Sequence, residues 1–135
     1  MTVLLVDDDD DVRTIARLSL TRVGGLRVVE ARTGAEAIDA ARRDPPDVIL
    51  LDVMMPEMDG PETLRALRAD TRTASIPVAF LTANAIQSEM DQLAQLGVAA
   101  VLSKPFDPLT LAARVRAIRS GQTPSAASHP SPSSF

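Results

Sequence analysis

A doubly wound α/β sandwich, with a five-stranded parallel sheet covered by helices on both faces, is the fold class this sequence predicts. Two observations carry that prediction. Four short apolar runs recur along the chain: Val3-Leu4-Leu5-Val6, Val48-Ile49-Leu50-Leu51, Val78-Ala79-Phe80-Leu81 and Ala99-Ala100-Val101-Leu102-Ser103. Each is short and apolar enough to be a strand buried on both faces, the pattern of a parallel sheet. The stretches between the runs space their apolar residues as helices do, so strand and helix alternate.

The elements follow in order. The first run ends at Asp7 and Asp8. Val12, Ile15, Ala16, Leu20 and Val23 then mark the buried face of a helix that Gly24-Gly25 ends. Leu26 to Glu30 reads as a short strand. Thr33-Gly34-Ala35-Glu36 has capping-box spacing and opens a helix reaching Arg43, stopped by Pro45-Pro46. The second long run ends at Asp52. It leads into a loop, Met54-Met55-Pro56-Glu57-Met58-Asp59-Gly60, and a helix from Pro61 to Arg68, with proline at a tolerated first position. The run ending at Thr82 leads to a helix from Ile86 to Leu96 closed by Gly97. The last run ends at Lys104, and Asp107-Pro108 starts a helix to Arg119. Right-handed crossovers and two-sided coverage favour the strand order 2-1-3-4-5.

Bulk properties narrow the function. The 135 residues, 45% hydrophobic and 24% charged, suit one globular domain with a real core. A net charge of -4 and a pI of 4.9 argue against a nucleic-acid-binding surface on this chain. Zero cysteines exclude disulfide and thiolate chemistry and suit the cytosol. The first apolar run is far too short for a signal peptide or membrane span, so a cytoplasmic protein without membrane contact is expected. Residues 120–135 are dominated by Ser and Pro and lose all apolar periodicity. They are expected to be a disordered tail or linker, which leaves 1–119 as the folded domain.

In open α/β sheets the ligand crevice lies outside the carboxyl ends of the strands. The parallel arrangement therefore gathers Asp7, Asp8, Asp52, Thr82 and Lys104 on one edge. Three carboxylates, a hydroxyl and an ammonium can hold a hard divalent cation and a phosphoryl group. Read one at a time, each has a plainer role. The run Asp7 to Asp11 resembles a solvated face. Asp10 and Asp11 fit that reading as favourable charge at a helix start, and Asp9 stays undecided. Asp52 alone would pass for a turn aspartate, and Thr82 for a strand-end threonine. Lys104 carries more information, because it is the only lysine beside thirteen arginines.

Taken together, Val6-Asp7-Asp8, the stretch Asp47 to Gly60, Leu81-Thr82-Ala83 and Ser103-Lys104-Pro105-Phe106 resemble the receiver domain of two-component response regulators over residues 1–119. The resemblance implies a chemotaxis-regulator-like, flavodoxin-like fold with the same strand order. It makes Asp52 the phosphoacceptor. Asp7, Asp8, Asp52 and the Met54 carbonyl become the magnesium site, and Thr82 and Lys104 the catalytic contacts to the phosphoryl group. It also implies a cis Lys104-Pro105 bond. Positions Met54 and Asn84 are ones that tune phosphoryl lifetime in the family. Thr82 and position 101 form the family's switch, but an aromatic ring is usual where this chain has Val101.

The resemblance further implies a donor in trans, a histidine kinase or histidine phosphotransfer protein, since the only histidine is His129 in the tail. It implies a downstream protein partner on the face formed by the fourth helix, fifth strand and fifth helix. Arg114, Arg116 and Arg119 are expected near Val101 there, which suits an acidic or mixed partner patch. The chain would then be a phosphorylation-controlled binding module or phosphorelay intermediate. It would assist its own phosphorylation and dephosphorylation and have no separate turnover substrate. The alternative is the receiver of a longer regulator whose DNA-binding or enzymatic output domain lies outside this sequence. An aspartate-based phosphohydrolase normally has a second aspartate two residues after its nucleophile, where this chain has Met54.

Overall fold

The computed structural model describes residues 1–84 and 86–121. Strands β1 (Thr2–Val6), β2 (Arg27–Ala31), β3 (Val48–Asp52), β4 (Val78–Thr82) and β5 (Ala100–Ser103) form one parallel sheet in the order β2-β1-β3-β4-β5. Helices α1 (Asp10–Leu18), α2 (Gly34–Arg43), α3 (Gly60–Ala69), α4 (Gln87–Ala94) and α5 (Leu111–Arg119) cover both faces. The predicted class and strand order are both observed.

Period-two alternation sorts the strand side chains into two cores. Val3, Leu5, Val48, Leu50, Leu81 and Leu102 pack with Ala16 of α1 and Leu111, Val115 and Ile118 of α5. Leu4, Val6, Ile49, Leu51, Val78 and Phe80 pack with Ile38 and Ala41 of α2 and with Leu64 and Leu67 of α3. Every residue of β3 and β4 is buried. These central strands therefore read as unbroken apolar runs rather than alternating ones.

Several boundaries differ from the sequence expectation for local reasons. The first helix does not run regularly to Val23. It ends at Leu18 and continues as one π-helical turn over Ser19–Val23. There the Ser19 hydroxyl donates to the Pro108 carbonyl of the β5–α5 loop. Gly24 then lets this end meet α5, since a Cβ there would lie 2.3 Å from the Ala112 Cβ. The last helix starts at Leu111 rather than at Asp107-Pro108. Asp107 instead organises a turn, its side chain accepting from Leu109 N at 2.9 Å and its carbonyl from Leu111 N at 3.1 Å.

Two of the three arginines expected beside Val101, Arg116 and Arg119, are engaged elsewhere. Val101 packs on the α2/α3 side of the sheet, whereas the buried residues of α5 lie on the other. Arg116 donates to the Gly24 carbonyl, and Arg119 pairs with Asp47 at 3.2 Å. Both are thus committed near the amino ends of β1 to β3, away from Val101. The expected Ser/Pro-rich tail lies outside the described residues beyond Gly121. Among the described residues, no helix is long and apolar enough to cross a membrane.

Candidate functional site

Strand register assembles the site. Val6 pairs with Leu51 across β1 and β3, so Asp7 comes level with Asp52. Asp52 pairs with Leu81, and Thr82 pairs with Ser103, which puts Lys104 one step past the end of β5. The Lys104 amide donates to the Thr82 carbonyl at 2.8 Å, and the following Lys104-Pro105 bond is cis. Carboxylate oxygens of Asp7, Asp8 and Asp52 all lie within 4.8 Å of one another. Asp7 and Asp52 are buried, whereas Asp8 is exposed at the mouth.

Lys104 spans the two buried carboxylates. Its Nζ is 2.7 Å from Asp7 Oδ2 and 3.1 Å from Asp52 Oδ1. The bond to Asp52 is aligned as a hydrogen bond. Asp7 Oδ2, although close to the ammonium, has no aligned donor and is fully buried. Asp7 Oδ1 accepts from the Asp9 amide at 2.9 Å, and Asp52 Oδ1 also accepts from the Met54 amide at 3.3 Å. Burial, followed by the Asp7 charge, pushes the Asp52 carboxyl up to about 7 even though Lys104 pulls the other way. Burial pulls the Lys104 ammonium down, but its contacts to Asp7 and Asp52 outweigh that and hold it above its ordinary value. Three carboxyl groups against one ammonium leave the cluster net acidic, and its mouth opens to solvent at Asp8. Hard oxygen donors gathered in a cluster short of positive charge fit magnesium.

Thr82 faces the same edge, but its hydroxyl is engaged with its own loop. Its Oγ1 accepts from Asn84 N at 3.1 Å and donates to Asn84 O at 3.4 Å. Beside it opens a cavity of about 510 Å³ whose walls include Val53, Met54, Asn84, Glu89 and Leu93. Met54 is 76% exposed at its rim.

Asp9, undecided from sequence, is the N-cap of α1, accepting from Asp11 and Val12 amides. Asp10 and Asp11 occupy the exposed first turn as expected, with Asp10 paired to Arg13. Arg13 is a supporting residue that sequence reasoning missed. It is buried and donates to the Asp7 carbonyl at 2.7 Å while pairing with Glu30 at 3.2 Å, which braces the end of β1. Its position beside Val12 in a polar stretch gave no signal of burial. A second missed feature did have a signal: Asp59 and Glu62 form a full capping box at the start of α3. That box seats Gly60 against the end of β3, where a Cβ would fall 2.7 Å from the Asp52 carbonyl oxygen.

Comparison with known proteins agrees with this geometry. The response regulator receiver domain family matches residues 3–116. Response regulator Rre1 of Synechocystis is 41% identical over 116 residues, 86% of this chain and 50% of that protein. Transcriptional regulatory protein CpxR of Escherichia coli K12 is 42% identical over 118 residues, 86% of this chain and 48% of that protein. The chain therefore spans about half the length of these curated relatives. The chemotaxis response regulator CheY4 of Vibrio cholerae superposes with a TM-score of 0.79 at 32% identity, covering 87% of this chain and 97% of that one. Receiver domains of this kind are signalling modules that bind magnesium at an aspartate cluster and interact with histidine kinases or phosphotransfer proteins. This chain belongs to the response regulator receiver domain family of two-component systems.

Proposed function

We propose that residues 1–119 accept a phosphoryl group on Asp52 and use it to control a protein interaction. The observation that carries this reading is the Lys104 ammonium set between Asp7 and Asp52 inside a cluster of three carboxyl groups. Asp7, Asp8, Asp52 and the Met54 carbonyl would hold magnesium, which when bound offsets the repulsion between Asp52 and an incoming phosphate. The Asp52 oxygen not engaged by Lys104 and the Met54 amide attacks phosphorus in line. The bond from phosphorus to the donor's nitrogen or oxygen breaks, and its electron pair leaves with the donor. Lys104 then exchanges its contact with Asp52 for one with a phosphoryl oxygen. The Thr82 hydroxyl turns from Asn84 to donate to another.

Donor docking has a natural place. Val12, Ile15, Pro105 and Phe106 surround a small hollow against Lys104, and Ile15 is 51% exposed. A histidine kinase or phosphotransfer protein would seat there with its phosphohistidine over Asp52. The downstream partner would use the α4-β5-α5 face, with Thr82 and Val101 as its internal switch. Two outputs fit this module. One is a stand-alone receiver acting as a binding module or phosphorelay intermediate. The other is the receiver of a longer regulator, as in Rre1 and CpxR, of whose length this chain spans about half.

Incubation with magnesium and acetyl phosphate tests the acceptor assignment. One acid-stable, alkali-labile phosphoryl group is expected, absent without magnesium and absent in Asp52→Asn. Persistent stoichiometric labelling of Asp52→Asn would overturn it.

A further inference from the structure

Helix α4 is attached to this molecule in an unusual way. None of its residues is buried, and Ile86 at its N-cap offers no side-chain cap. Only half-buried residues such as Leu93 touch the core. Gln87 bonds to Asp91 within the helix at 2.8 Å. Among the described residues, one side-chain hydrogen bond joins α4 to anything outside it, from Asn84 Nδ2 to the Glu89 carboxylate. The other end of the same Asn84 side chain, Oδ1, accepts from Ile86 N at 3.1 Å. The Asn84 backbone in turn supplies both partners of the Thr82 hydroxyl.

Asn84 is therefore a hub between the Thr82 hydroxyl and the first turn of a helix that little else holds. A hydroxyl has a single proton to donate. When Thr82 Oγ1 gives it to a phosphoryl oxygen on Asp52, it cannot also give it to the Asn84 carbonyl. The rotation that aims it at Asp52 also draws its acceptor lone pair away from Asn84 N. Asn84 then keeps the contact of its Oδ1 with Ile86 N but loses both backbone ties to Thr82, and its amide shifts on Glu89. Because Glu89, Asn84, Thr82 and Met54 line one cavity, the release changes the wall of that cavity directly.

We propose that Asn84 and Glu89 form a latch that holds α4 in the resting state and lets go when Thr82 turns to the acceptor. Both act as positioning residues. The latch supplies a route from Asp52 to α4 that needs no aromatic ring at position 101. It rests on the phosphoacceptor reading of Asp52, and it assigns to Glu89 a role that neither its sequence context nor the carboxylate cluster indicates.

Amide hydrogen exchange over residues 87–94 tests the latch in the full chain, with beryllofluoride and magnesium as the phosphoryl mimic. In the parent, the mimic should speed exchange in the first turn of α4 about tenfold, the factor one hydrogen bond to a charged acceptor supports. Asn84→Ala and Glu89→Ala should show that fast exchange without the mimic and gain little more on adding it. Glu89→Gln keeps an acceptor oxygen and should restore most of the parent's slow exchange. Exchange in β3 should not change in any variant, which separates latch loss from general loosening. Acetyl phosphate labelling of the same samples isolates the two readings. Normal labelling with α4 exchange unmoved by Glu89→Ala would overturn the latch alone. No labelling of the parent would overturn the acceptor assignment on which it rests.

Discussion

The loop that follows strand β3 and helix α4 border the same cavity, but strand and helix are held in opposite ways. All five residues of β3 are buried, and the strand ends in Asp52, the proposed acceptor, between two hydrogen-bonded neighbours. None of the eight residues of α4 is buried, and one side-chain hydrogen bond outside the helix tethers it among the described residues. The difference assigns two tasks. Phosphoryl transfer needs carboxylates and an ammonium fixed to within fractions of an ångström, and a doubly covered central strand supplies that fixity. A response needs an element whose position changes at small cost, and such elements come from the weakly packed end of a structure.

The largest expected effect sets the two regions directly against each other. Leu50→Ala removes a fully buried side chain from β3 and should cost about 2–5 kcal/mol. Leu93→Ala, on the half-buried side of α4, should cost about 1 kcal/mol or less. Urea unfolding followed by far-ultraviolet circular dichroism measures both, since the chain has no Trp or Tyr to report by fluorescence. Equal losses would break the comparison.

Within the rigid region, metal affinity sharpens the picture. Asp8→Ala should weaken magnesium binding at least about tenfold by calorimetric titration. Asp10→Ala, which removes an exposed carboxylate paired with Arg13, should change it little. Equal losses would mean that the strand end has been placed one turn too early.

A smaller effect concerns what the buried cluster costs the fold. A carboxyl raised to about 7 binds its proton more tightly in the folded chain than in the unfolded one, where it titrates near 3.8. Its contribution is therefore fully present below about pH 4 and is lost as pH rises through about 7. In magnesium-free buffer Asp52→Asn should match the parent near pH 4. It should exceed the parent by on the order of 1–2 kcal/mol above pH 7, after screening by Lys104 and water at the mouth is allowed for. A parent whose stability rises from pH 4 to pH 7 by the same difference would contradict this sign.

How much of this was legible in sequence follows the same division. The strands and their terminal residues were readable because burial on both faces leaves an unbroken apolar run, and its end is marked by the first polar residue. Asp7, Asp52, Thr82 and Lys104 could therefore be placed on one edge before any coordinates. Contacts made across the sheet edge were not readable. Arg13 sits in a polar stretch, and only the fold shows that it is buried against the Asp7 carbonyl. Arg116 and Arg119 of α5 lie away from Val101, which was not legible because spacing gives a helix face but not which neighbours receive it. The Asp59–Glu62 box was present as spacing and was passed over inside what read as loop. The Asn84–Glu89 contact joins a loop to an exposed helix turn, where no hydrophobic period constrains either partner.

Which carboxylate receives the phosphoryl group can be read directly. Borohydride converts an aspartyl phosphate to homoserine, so reduction of the acetyl phosphate-labelled chain followed by peptide mass spectrometry locates it. Homoserine at position 52 alone is the predicted result. Homoserine at Asp7 or Asp8, or none in a chain that has taken up label, would contradict it.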